Sequence, residues 1–175
     1  MTTDTPHQLP FHLQQKPVQV RLRGGQSLEG MIHIQEGLPL LHFLGTKKYF
    51  LSLTSARSLD DPPDTPPMVH LGLRLSNVVW IIPLDGSLHI STASVPAQSS
   101  RTVELHLVDG LQLTVNLNIA EEQRMTDYLD ANWSFVPLWS ARMPSTEQVI
   151  ERLAVNHEAI LAIREVPKAE EPPPA

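Results

Sequence analysis

Apolar and polar residues alternate with a period of two over Val18-Gln-Val-Arg-Leu-Arg23, the pattern of a half-buried β-strand. Gly24-Gly25 then marks a tight turn, and Leu28-Glu-Gly-Met-Ile-His-Ile34 returns as a second strand. Val103–Val108, a turn at Asp109-Gly110 and Leu111–Ile119 repeat the hairpin. Asp-Gly is a strong hairpin signal, because both central positions of a type I′ turn need positive φ. Phe50-Leu-Ser-Leu-Thr54 and Phe135-Val-Pro-Leu-Trp139 read as third strands, with Pro137 suggesting an edge or a bulge.

The two halves share one spacing. Sliding the sequence by 85 positions lays Val18–Arg57 on Val103–Arg142 without a gap, and twelve of the forty pairs are identical. The identities include Gly25 with Gly110 and the run Ser55-Ala56-Arg57 with Ser140-Ala141-Arg142. A repeat of this length means that one structural unit is used twice. Each copy also resolves what the other leaves ambiguous. Leu38–Leu44 alone reads as a strand or a short helix. Its partner, Gln123–Leu129, is too polar for a buried strand and has helical spacing at Met125, Tyr128 and Leu129. One or two turns of helix are therefore expected in both copies, with Pro39 in a first helical turn and Gly45 just past the end. Thr146–Arg152 in isolation resembles a capped helix, but its partner Met68–Arg74 reads as a strand, so a strand is expected. Beyond Arg57 the register breaks. Leu73–Ile82 then echoes Leu153–Ile163, with one residue inserted after His157.

Each unit thus reads β-β-(short helix)-β-β-β. The fold class expected is mainly β: two tandem small β-barrel or bent-sheet units with one short helix each, related by a pseudo-twofold. Such units can cover each other's apolar faces or pair edge to edge. The sixteen prolines cluster near the N-terminus, in the loop Asp60–Pro67 and at the C-terminal end, where they mark edges and linkers. With the Ser-, Thr- and Ala-rich segment Gly86–Thr102 read as the connection between repeats, the chain divides into a lead (1–16), the first unit (17–85), a linker (86–102), the second unit (103–165) and a tail (166–175). The lead and tail are expected to be mobile.

Charge and composition narrow the function. The formal charge is −6, which argues against a dedicated duplex-DNA binder. With no Cys, disulfides, thiolate zinc sites and a Cys nucleophile are excluded. The first residues, Met-Thr-Thr-Asp-Thr-Pro-His-Gln, lack the basic and apolar regions of a secretory signal. No stretch reaches the roughly 18 apolar residues of a membrane span. Cytoplasm is the expected compartment, with no membrane partner.

The strand order, the Gly turn and the segment Leu75-Ser-Asn-Val-Val-Trp-Ile81 resemble the Sm-like small β-barrel. The second copy more narrowly resembles a family of uncharacterised bacterial domains. Their pattern is matched here by Arg124-Met-Thr-Asp127-Tyr-Leu-Asp130, Phe135-Val-Pro-Leu-Trp-Ser-Ala141 and Val155-Asn-His-Glu-Ala-Ile160. In the first copy, Pro39 and His42 stand where the second has Arg124 and Asp127. The resemblance implies a small barrel and, for Sm-like proteins, binding of single-stranded RNA. The Sm-type loop pattern Asp-x-Phe-x-Asn is absent from this sequence.

Candidate chemistry is sparse. The eight histidines include no pair at the i, i+4 spacing of a zincin helix, so a scattered surface set without metal is expected. Asp60-Asp61-Pro62-Pro63-Asp64 lacks the Gly turn and later Glu of a calcium loop and reads as a solvated loop. Arg124 and Asp127 lie three apart on a short helix, where they can pair, or Arg124 can meet an anion. The duplicated Arg57 and Arg142 are the most suggestive residues, as two symmetric arginines can hold an anionic partner across a pseudo-twofold. Trp80, Trp133 and Trp139 fall mostly at apolar positions, with Trp133 the one expected to be exposed. No nucleophile elbow, P-loop or dinucleotide fingerprint is present. The expectation is a non-catalytic interaction or scaffold module, without cofactor, that binds a protein partner or itself. The alternative is a binder of single-stranded nucleic acid or nucleotide through Arg57 and Arg142, with Arg124 as a further anion contact.

Overall fold

A computed structural model describes residues 12–91, 100–119, 122–130 and 134–166. The first half comprises β1 (Leu13–Leu22), β2 (Ser27–Gln35), α1 (Leu40–Gly45), β3 (Phe50–Ser58), β4 (Met68–Arg74) and β5 (Val78–Pro83). The second comprises β6 (Ser100–Leu107), β7 (Gln112–Asn118), α2 (Met125–Asp130), β8 (Phe135–Met143), β9 (Gln148–Asn156) and β10 (Ile160–Glu165). Among the described residues the fold is thus mainly β with two short helices. Both helices begin and end on the 85-residue offset, and so do β3 and β8. The later elements follow a different offset. The 3₁₀ turn Leu75–Asn77 with β5 matches the turn His157–Ala159 with β10 at 82 residues. The expected echo of Leu73–Ile82 in Leu153–Ile163 is therefore misregistered.

All strands join one open antiparallel sheet in the order β10-β6-β7-β8-β9-β5-β1-β2-β3-β4. Each half contributes five neighbours in equivalent order, and the halves meet where β5 pairs with β9, through Trp80 opposite Val155 and Ile81 opposite Ala154. This corrects the expected pseudo-twofold. A twofold axis would pair equivalent strands, whereas β5 is the last strand of one half and β9 the fourth of the other. The junction is head to tail.

The hairpin turns also differ from expectation. Gly25 donates its N–H to the Leu22 carbonyl (2.9 Å) and Gly110 to that of Leu107 (3.0 Å). Only these glycines have positive φ there, 84° and 82°. The turns are therefore three-residue loops that end in a left-handed glycine, not type I′ turns, which need two such residues.

The duplicated Ser-Ala-Arg is a β-bulge. Glu29 pairs with Arg57 and Met31 with Thr54, so Ser55 and Ala56 together face Gly30. A Cβ on Gly30 would lie 3.3 Å from both Ala56 carbon atoms, which explains the glycine. Ser55 and Ser140 take up the extra residue at φ 51° and 50°, and the bulge bends the strand. Pro137 does not mark an edge: β8 lies inside the sheet, and Pro137 faces Ala154 of β9.

There are two cores, and each borrows from the other half. Val79 and Trp80 of β5 pack into the second core, while Phe135 and Ala154 pack into the first. Leu40, Phe43 and Leu44 bury the inner face of α1. Its first N–H groups find acceptors in the carbonyls of His89 (2.8 Å) and Ile90 (3.0 Å). Part of the expected linker thus has a structural role, since Leu88 and Ile90 are buried. At its other end, Ser100–Thr102 belong to β6. Likewise β1 starts at Leu13, inside the stretch read as a lead. Residues 1–11, 92–99 and 167–175 lie outside the described residues, and so does Trp133. No described helix is long and apolar enough to cross a membrane.

The bulge geometry is testable. Ser55 is exposed, so its side chain adds little packing. Ser55→Gly should leave stability unchanged or raise it slightly, whereas Ser55→Val should lower it by about 1–2 kcal/mol, the cost of a left-handed β-branched residue. Urea denaturation of both variants checks this, and equal midpoints would refute the assignment.

Candidate functional site at the inter-unit cleft

The junction is locked by polar groups that reach across it. Asn156, at the end of β9, is a buried polar residue. Its Nδ2 donates to the carbonyls of Leu75 and Val78, both at 2.9 Å, and its Oδ1 accepts the N–H of Glu158 at 3.0 Å. One side chain thereby satisfies three backbone groups of two 3₁₀ turns, one from each half. Arg23 donates to the Ser76 carbonyl (2.5 Å) and the Glu158 carbonyl (2.8 Å). Arg21 pairs at 3.0 Å with Asp109, whose side chain is fully buried, in the hairpin turn of the other half. Arg152 of β9 donates to the carbonyls of Asp85, Gly86 and Leu88 at 3.3–3.4 Å.

The turn after β5 is held from its other side too. Lys16 Nζ lies 2.9 Å from Asp85 Oδ2 and 2.6 Å from Ser87 Oγ, and the Ser87 N–H donates to Asp85 Oδ1 at 2.8 Å. The Lys16 hydrogen bond, followed by those from Ser87, holds the Asp85 carboxyl down at about 2, from an ordinary 3.8.

Above this lock lies a cleft of about 560 Å³. One wall comes from the first half: Lys47, Lys48 and Tyr49 in the α1–β3 connection, Arg74 at the end of β4, and Leu75 and Ser76 just after it. The other comes from Asp130, Ser134, His157 and Glu158, with Asn156 and Phe135 beneath. Charge divides between the walls, with cations on the first and carboxylates on the second. Tyr49 is 55% exposed. Lys48 Nζ lies 5.1 Å from its ring centre, and Lys47 Nζ lies 4.4 Å from that of Phe43. His157 Nε2 is 3.8 Å from Asp130 Oδ1 across the second wall. The arrangement offers positive charge beside a stackable ring, the pairing that a phosphate joined to a planar base requires. No known family, curated protein or solved structure matches this chain.

The residues singled out in the sequence lie elsewhere. Arg57 is 54% exposed on β3 and 3.7 Å from Glu29. It lines a second cleft of about 430 Å³ with Pro17, Met31, Leu84 and the Asp/Pro loop. Arg142 is exposed on β8, opposite Thr114 and Val149. Five strand spacings separate β3 from β8 in the sheet order, roughly 24 Å along it at 4.8 Å each. Arg142 lines none of the clefts formed by the described residues. Arg124 stands exposed just before α2, and no ion pair joins it to Asp127 among the described residues. The described histidines are dispersed, and no three His, Asp or Glu residues among them form a metal-sized group. Trp80 is buried at the junction, while Trp139 is partly exposed.

Lys47-Lys48-Tyr49 was visible as a basic-aromatic run, but its partner positions are Asn132, Trp133 and Ser134. Present in one copy only, it has no echo in the repeat. Asn156 and Arg74 occupy equivalent places only on the 82-residue offset, which the misregistered echo concealed.

Two predictions follow from the lock. Asn156→Ala leaves the buried Val78 carbonyl and the part-buried Leu75 carbonyl and Glu158 N–H without their partner, and should cost about 3 kcal/mol in denaturant unfolding. A loss below about 1 kcal/mol would show that these groups find other partners. Because the Asp85 pKa is depressed in the folded state, its contribution is complete above pH 3.8 and disappears as pH falls through about 2. An NMR titration should place the Asp85 midpoint near 2, and Lys16→Met should return it towards 3.8. An unmoved midpoint would remove Lys16 as the cause.

Proposed function

We propose that the protein is a non-catalytic interaction module of two Sm-like β units that binds single-stranded nucleic acid or a nucleotide in the inter-unit cleft. The observation that carries this reading is the convergence of Lys47, Lys48 and Arg74 with the exposed Tyr49 ring on one wall. In a chain of net charge −6, three cations beside an exposed tyrosine form a local exception to the prevailing field. Cations would attract the phosphates and Tyr49 would stack on a base. The carboxylates opposite would disfavour a second phosphate there, which suits a single strand better than a duplex.

The Sm-like reading draws support from the strand order within each half and from the glycine turn of each first hairpin. The separation of Arg57 from Arg142 favours the cleft over the arginine pair as the ligand site.

Fluorescence anisotropy with a labelled oligouridylate at low salt tests the proposal. Lys47→Glu with Lys48→Glu should weaken binding by more than about tenfold, since each reversal replaces attraction by repulsion at a phosphate. Arg57→Ala with Arg142→Ala should leave it unchanged. Three phosphate contacts would make the affinity fall with salt at a logarithmic slope of about −2. Absent binding at low salt, or binding indifferent to the lysine reversals, refutes the site.

A further inference from the structure

The connection between β3 and β4 runs from Leu59 to Pro67, whereas its counterpart between β8 and β9 spans only Pro144 to Glu147. The longer connection is stiff and anchored. Pro62, Pro63, Pro66 and Pro67 each have φ fixed by the ring. Leu59 N–H donates to the Ser27 carbonyl (2.9 Å), Asp60 N–H to the hydroxyl of buried Ser58 (3.2 Å) and Thr65 N–H to the Pro62 carbonyl (2.9 Å). With β1, β2 and β3, this loop forms the cleft of about 430 Å³.

The cleft is apolar at its base and negative at its rim. Pro17 and Met31 lie opposite each other on β1 and β2, and Leu84 beside them is 46% exposed. The extra residue of a bulge is left out of the ladder, and Ser55, which lines the cleft, pairs with neither β2 nor β4. Arg57 is offset by Glu29 at 3.7 Å. Asp60, Asp61 and Asp64 are exposed, and none has an ion-pair partner among the described residues.

We propose that this cleft is a docking site for an extended segment of a partner protein in which an aliphatic residue or proline stands next to a lysine or arginine. The apolar side chain would cover Pro17, Met31 and Leu84. Its basic neighbour would meet Asp64, and the backbone of the segment would hydrogen-bond at Ser55. Charge complementarity selects this occupant: the carboxylates attract a cation and repel nucleic acid or an acidic peptide. Because prolines and hydrogen bonds already hold the loop, little binding free energy is lost in ordering it. The site shares no lining residue with the inter-unit cleft, so either reading can fail without the other.

A phage-displayed library of short random peptides, panned on the full chain, tests the proposal. The enriched sequences should place Lys or Arg next to Leu, Ile, Val or Pro. The most enriched peptide is then titrated by fluorescence anisotropy. Asp64→Lys should weaken it at least about tenfold and Leu84→Ser at least about threefold. Unchanged urea midpoints would show that both variants keep the fold. Glu147→Lys, in the short turn of the second half, makes the same change in net charge and should leave the affinity within about twofold. Replacing the basic residue of the peptide by Glu should abolish binding. Failure to enrich, a consensus without a cation, or equal effects of Asp64→Lys and Glu147→Lys overturns the proposal. Tighter peptide binding after deletion of residues 1–11 would make that segment the occupant instead. Self-association of the wild type that Asp64→Lys abolishes would make the occupant a second copy. Either result also overturns it.

Discussion

The pairing of β5 with β9 is the contact on which the other features rest. It converts two five-stranded sheets, each with exposed edges, into one sheet of ten. Both strands are buried on both faces where they meet, and each sends side chains into the other half's core. Trp80 shows how much of this is packing: its indole N–H has no acceptor among the described residues, yet the ring is buried. Polar specificity comes instead from Asn156, which fixes the relative position of the two 3₁₀ turns. A slip of one residue would move its two carbonyl acceptors out of reach and turn apolar side chains to the wrong face.

The cleft is a by-product of that register. Its cationic wall ends β4 and precedes β3, and its acidic wall ends α2 and β9. Neither half contains a complete cleft, so the site exists only while the junction holds. The polar lock at Asn156 and Arg23 lies directly beneath it and keeps the walls at fixed separation.

Much of the architecture was legible from period and repetition. Strand alternation, the short helices and the rejection of a helix at Thr146–Arg152 all came from comparing copies. Turn type was not legible, because Asp-Gly serves both a type I′ turn and the three-residue loop that occurs here. The symmetry was also hidden. A duplicated sequence is compatible with twofold or head-to-tail assembly, and only the partner of β5 distinguishes them. The Ser-Ala-Arg pair suggested a duplicated function. Its cause is backbone geometry: Ser55 and Ser140 hold the bulge, Ala56 fits against Gly30, and Arg57 faces water. The residues of the cleft occur once each and left no trace in the repeat.

The head-to-tail junction also accounts for where the likeness between the copies ends. The gapless correspondence stops at Arg57, at the close of β3. Up to that point each strand has the same neighbours as its counterpart. Beyond it they differ: β5 lies sealed inside the sheet while β10 lies at its rim, and β9 is covered while β4 is open. Equivalent positions there must satisfy opposite solvent demands, as Val79 and Leu161 do. The likeness thus ends where the surroundings of the two halves become unequal.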